Sequence, residues 1–123
     1  MADLGLSLPQ YRVLSLLGDG SAAATVLADH LAVSRPNVTA IVDGLVERDL
    51  VERLTDPLDR RRVRHSLTAA GHNALRAADE AVDARLRAIA DRLPPARASR
   101  ALAGLDLWGD ALDAARQARV TTP

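Results

Sequence analysis

Residues Leu27–Arg53 read LADHLAVSRPNVTAIVDGLVERDLVER, and the apolar spacing within and just before that stretch decides the fold. Ala24, Leu27, Ala28 and Leu31 recur at i, i+3, i+4 and i+7, which is one buried helical face. After a break at Val33-Ser34, the residues Val38, Ile41, Val42 and Leu45 repeat the stripe. Ser34 is placed to accept hydrogen bonds from the free amides of the next turn, and Pro36 falls where its missing N–H costs nothing. A helix therefore starts at Arg35. Its unpacked side carries Arg35, Asn37, Thr39, Ala40, Asp43, Gly44 and Glu47. Two helices joined by so short a turn form a helix-turn-helix.

Upstream, Ser7 and Gln10 form a capping-box pattern, and Tyr11, Leu14 and Leu17 follow at helical spacing until Gly18-Asp19-Gly20. Downstream, strands are predicted over about residues 50–54 and 62–67, because Val63, His65 and Leu67 alternate with Arg62, Arg64 and Ser66. Asp56-Pro57 and Asp59 mark the turn between them. Thr68 caps a long helix bearing Leu75, Val82, Leu86, Ile89 and Leu93, which Pro94-Pro95 ends; Leu102, Leu105, Trp108 and Leu112 carry a last helix toward Val120. The expected fold is mainly α with a small β-hairpin. A winged helix-turn-helix over residues 1–68 is followed by two C-terminal dimerisation helices over 69–123, together one structural domain.

With 123 residues, 48% of them apolar, the chain can close one core. Acidic and basic residues balance at 16 each, so no global field draws in a polyanion and any nucleic-acid affinity must come from clustering. Such a cluster exists. Arg60, Arg61, Arg62 and Arg64 set four guanidinium groups within five residues on the predicted hairpin turn, close in sequence to the free helix face of Arg35, Asn37 and Thr39. Arg can fork onto guanine, Asn can pair with adenine, and Thr can reach a base edge or a phosphate. Asp59 has two readings: it orients the Arg61 guanidinium, the favoured one, or it helps to form the turn.

The absence of cysteine removes disulfides, thiolate nucleophiles and zinc-thiolate sites. His30, His65 and His72 have no second ligand nearby in sequence, and His65 falls on the apolar strand face as a structural histidine, so no metal is expected. No serine elbow, phosphate-cradling glycine loop or paired carboxylates accompany a base, so no enzyme, catalytic residue or cofactor is expected. Apolar runs are too short to span a bilayer and no leader pattern precedes Ser7, which places the expected location in the cytoplasm, away from membranes.

The stretch quoted above, followed by DPLDRRRVRHSLTAAG at Asp56–Gly71, resembles the MarR family of winged-helix transcription regulators. The likeness rests on the capped PQYRVLSLL helix, the LAxxL helix, the serine-started third helix with Thr39, the pair Asp59 and Arg61, and the LTxxG at Leu67, Thr68 and Gly71. It implies that Ser34, Arg35, Asn37 and Thr39 meet the major groove of double-stranded DNA, and that Arg61, held by Asp59, enters the minor groove. Arg60, Arg62 and Arg64 would bind phosphates or lie beside them. It further implies a homodimer on an imperfect palindrome, usually a repressor, released by a small organic effector such as a phenolic acid. Three positions depart from the pattern. Ala40 and Gly44 stand where many relatives carry Arg, which points to loose or wing-dominated specificity. Asp49 replaces the usual glycine after the third helix and is expected in the left-handed conformation. Only six residues precede Ser7, where the family has a helix in the dimer interface, which leaves the dimer geometry open.

Dimerisation also has a physical motive, because Leu86, Ile89, Leu93, Leu102, Leu105, Trp108 and Leu112 form apolar stripes that the rest of the chain is too small to cover. The rival reading is a winged helix that docks an acidic protein through its Arg turn without binding DNA. Bare positions Ala40 and Gly44 speak for it.

Overall fold

The computed structural model describes residues 4–121. Ser7 accepts the Gln10 amide and Gln10 returns its carboxamide oxygen to the Ser7 amide, a reciprocal cap that starts α1 (Leu8–Leu17). Two alanines then form β1 (Ala22–Ala23), which leads directly into α2 (Ala24–Leu31). Ala32 closes α2 in the left-handed region at φ 55°, and α3 (Arg35–Glu47) begins three residues later on the Ser34 cap. Asp49 follows at φ 60°, the conformation predicted for a residue in a glycine's place. Then come β2 (Val51–Thr55), β3 (Val63–Leu67), α4 (Ala69–Ala90) and α5 (Pro95–Thr121).

The hairpin strands pair antiparallel in the register Val51↔Leu67 to Thr55↔Val63. β1 joins the other edge of β3, giving a three-stranded sheet of order β1-β3-β2. This third strand was not predicted: two alanines carry no alternation to read. Against the sheet pack the stripes of the first three helices, with Val13, Leu14, Leu27, Val38, Val42, Leu45 and Val51 essentially inaccessible to solvent. His65 and Leu67 are buried as the alternation required, whereas Val63 is 38% exposed because β3 starts at the wing and reaches the core only further along.

Thr68 joins this core to α4. Its hydroxyl donates to the Asp49 carbonyl at 2.6 Å and accepts the Gly71 amide at 2.9 Å. A Cβ at position 71 would overlap the Leu50 carbonyl oxygen, so the close approach of α4 to the end of α3 requires glycine there. Tyr11 donates its phenol to Asp79 at 2.5 Å, and partial burial together with that carboxylate pushes its pKa up to about 12. Arg48 clips the N-terminal turn by donating to the carbonyls of Gly5 and Leu4 at 2.7 and 3.4 Å.

Two compact units result, dividing between Ala81 and Val82. The break falls inside α4 and not at the expected residue 68, because Ala74, Leu75 and Ala78 of the early α4 turns pack into the winged-helix core. In the second unit, only Ala90 and Ala98 are buried among the described residues. Met1–Asp3 and Thr122–Pro123, which the expected units included, lie outside the described residues.

Candidate nucleic-acid interface

α3 owes its exposed face to its own packing: Val38, Val42 and Leu45 turn inward, which leaves Ser34, Arg35, Asn37, Thr39 and Ala40 open to solvent. Gly44 is half-buried. Thr39 donates its hydroxyl back to the Arg35 carbonyl at 3.1 Å, so it offers a ligand its lone pairs and methyl group but no free proton. The Ser34 oxygen faces the Asn37 amide at 3.4 Å. Among the described residues, nothing partners the side chains of Arg35 or Asn37. Asp43 is occupied: it pairs with Arg53 on β2, a contact that fastens the outer side of α3 to the sheet and that the sequence reading missed.

The wing between β2 and β3 is a hydrogen-bonded loop. Asp56 donates its amide to the Arg62 carbonyl at 3.0 Å and accepts the Leu58 amide on its carboxylate at 2.9 Å. Asp59 accepts the Arg61 backbone amide at 3.0 Å, and its other oxygen lies 3.9 Å from Arg62 Nε. The favoured expectation for Asp59 is therefore corrected. Its carboxylate builds the turn and faces Arg62, because an acceptor two residues ahead reaches the amide of residue 61 more readily than the end of that residue's long side chain. Arg64 is corrected too. Nε donates to Ser21 Oγ at 2.9 Å and Nη2 to the Ser21 carbonyl at 2.8 Å, so this guanidinium clamps β3 to the chain entering β1 instead of standing free for phosphate. Arg60 and Arg61 keep exposed side chains without a partner among the described residues.

These pieces meet at a cleft of about 510 Å³, lined by Thr25 at the start of α2, Arg35 at the start of α3, and Arg61, Arg62, Arg64 and His65 of the wing. The structure thus brings Arg35 together with three wing arginines. Ser34, Asn37, Thr39, Asp59 and Arg60 do not line the cleft. Asp56 contributes the one carboxylate among its lining residues, so the concavity is cationic. His65, only 5% exposed, places Nδ1 3.1 Å from the Ala22 carbonyl. Burial pushes its pKa down, the Ala22 carbonyl opposes that shift, and Arg53 adds to it. Thr25 and the Ser21 clamp escaped sequence reading, since both depend on β1.

In the second unit, Leu86, Ile89, Leu93, Leu105, Trp108 and Leu112 are all exposed, Trp108 by 71%, while Leu102 is half-buried. Leu107, at 68%, belongs with them and was not anticipated. Among the described residues, no group of three or more His, Asp or Glu is placed to hold a metal ion, and no helix is long and apolar enough to cross a membrane.

A helix-turn-helix whose second helix is followed by an arginine-bearing hairpin defines the class: this is a winged helix-turn-helix domain. The model of the MarR family matches residues 4–62, which contain α1 to β2 and the wing loop. Over those residues, just under half of its length, the chain is similar to the MarR family. It is 35% identical over 74 residues to the HTH-type transcriptional regulator YpoP of Bacillus subtilis, covering 59% of this chain and 52% of that protein. To YfiV of the same organism, also an HTH-type transcriptional regulator, it is 29% identical over 115 residues, or 93% of this chain and 72% of that one. The chain thus spans about half the length of the first relative and more of the second. Among solved structures, RV1404 from Mycobacterium tuberculosis superposes with a TM-score of 0.72 at 29% identity, covering 89% of this chain and 77% of that chain.

Proposed function

We propose that this protein is a transcriptional regulator that binds double-stranded DNA as a homodimer, most simply as a repressor on a pseudo-palindromic operator. The observation that carries this is the shared cationic cleft, in which the start of α3 and the wing present guanidinium groups to one ligand. α3 lies in the major groove with Arg35 and Asn37 toward base edges, Ser34 toward the adjoining backbone, and the Thr39 methyl and hydroxyl oxygen toward a base. Arg61 enters the minor groove, with Arg60 and Arg62 on the flanking phosphates. The exposed stripes of α4 and α5 are the surface on which a second copy sits. Two α3 helices in such a dimer must stand about 34 Å apart, one turn of DNA. A small organic effector, phenolic or otherwise, regulates only by binding one spacing better than another.

The test is a salt series. With about six phosphates neutralised per dimer, log affinity for duplex DNA falls against log salt with a slope near −5. No binding at low salt overturns the proposal and leaves the docking of an acidic protein partner as the reading of the same arginines.

A further inference from the structure

The wing carries one side chain that neither the core nor the charge pattern explains. Leu58, at its tip, is 97% exposed, more than any other large hydrophobic residue described; Trp108 follows at 71%. A lone surface leucine is ordinary, but this one is held in a particular way. Pro57 fixes the backbone before it, its own amide is bonded to Asp56, and the loop is closed by the Asp56–Arg62 and Arg62–Asp59 backbone bonds. The isobutyl group is therefore presented by a preorganised loop. The two carboxylates beside it each accept a backbone amide of the loop, Asp56 that of Leu58 and Asp59 that of Arg61, and Asp59 also faces Arg62. What the tip offers to a polyanion is an apolar point followed two and three residues on by the exposed cations Arg60 and Arg61.

We propose that Leu58 is a wedge: resting on the DNA-binding reading above, it enters the minor groove ahead of Arg61 and opens a base step. An apolar side chain gains nothing from phosphate or from the polar code of base edges, and its favourable surroundings on DNA are sugar C–H walls and the faces of unstacked bases. Unstacking costs least at the flexible pyrimidine–purine steps TA and CA/TG. Leu58 thus supplies sequence preference through deformability, at a position that no hydrogen-bonding side chain reads. That fits a third helix made sparse by Ala40 and Gly44.

The experiment selects sites from a random duplex pool with the unaltered protein, then places 2-aminopurine at the enriched step. Expected is enrichment of pyrimidine–purine steps at the wing position and a fluorescence rise on binding. Leu58→Ser should bind the selected duplex about tenfold more weakly with unchanged salt slope, and the fluorescence rise should vanish. Leu58→Met should keep both. Arg61→Ala, in contrast, should lower affinity and slope together. If Leu58→Ser binds within about twofold of the unaltered protein with the same step preference, the wedge is refuted while DNA binding stands. If the unaltered protein enriches no sequence and binds no duplex at low salt, the DNA-binding reading fails and takes the wedge with it.

Discussion

Arg61 and Asn37 make different demands on DNA, and the difference is measurable. In the proposed complex the Arg61 guanidinium, unpartnered in the cleft, would meet the negative potential of a groove whatever its sequence. Arg61→Ala should therefore weaken binding on every duplex and reduce the salt slope by about 1. The Asn37 carboxamide can satisfy donor and acceptor at once only on adenine, so Asn37→Ala should chiefly flatten the preference among duplexes in a competition assay. Equal effects of the two would contradict the assigned roles. His65 adds a pH dependence of stability. Its pKa is pushed below the ordinary 6.5, first by burial and then by Arg53. The unfolded chain takes up the proton near 6.5 and the folded chain only at lower pH, so the unfolded state binds more protons between the two. Stability is full above 6.5 and declines as pH falls toward the folded value. Urea midpoints at about pH 7.5 and 5.5 should show this decline, and His65→Gln should remove that part of it.

At the scale of elements, the most strained joint is the turn between α2 and α3. Ala32 holds φ 55° with an exposed side chain, its amide bonded back to the last turn of α2. A Cβ in that region costs about 1 kcal/mol relative to glycine even after glycine's extra unfolded entropy. Ala32→Gly should therefore stabilise the winged-helix unit by about that amount, raising the melting temperature by roughly 4–8 °C in calorimetry. Gly71 runs the other way. Gly71→Ala forces a Cβ onto the Leu50 carbonyl and should cost more than 2 kcal/mol by the usual scale of overpacking, about 1–3. The same contrast explains what the sequence disclosed. Ser7, Ser34 and the Val38–Leu45 stripe were legible because capping and helical period act within a few residues. Asp49 was legible because its backbone demand is local. The Arg64 clamp was not, since Ser21 is its partner 43 residues away across a strand of two alanines. Asp59 was misread for a related reason: motif and spacing place a carboxylate near Arg61, but only loop geometry decides between its amide and its guanidinium.

At the scale of the molecule, the two units are unequally furnished. The first buries a continuous set of Leu and Val side chains from α1 to β3, whereas the second buries two alanines among its described residues and exposes Leu86, Ile89, Leu105, Leu107, Trp108 and Leu112. Isolated helices are marginal in water and draw most of their stability from packing an apolar face, so α5 needs a cover that this chain does not supply among the described residues. In the homodimer proposed above a second copy would supply it by symmetry, each stripe meeting its own image. Leu105→Asp combined with Trp108→Asp places two charges in that surface and should yield monomers in sedimentation equilibrium, with part of the α-helical circular dichroism lost. The winged-helix core contains neither residue, so each monomer keeps its cleft and its affinity for a half-site. What disappears is the tethering of the second cleft once the first has bound, and affinity for a full palindrome should fall about a hundredfold or more. Half-site affinity should hardly move. A double variant that stays dimeric, or a monomer that grips the palindrome as before, would show that these stripes are not what joins two copies on DNA.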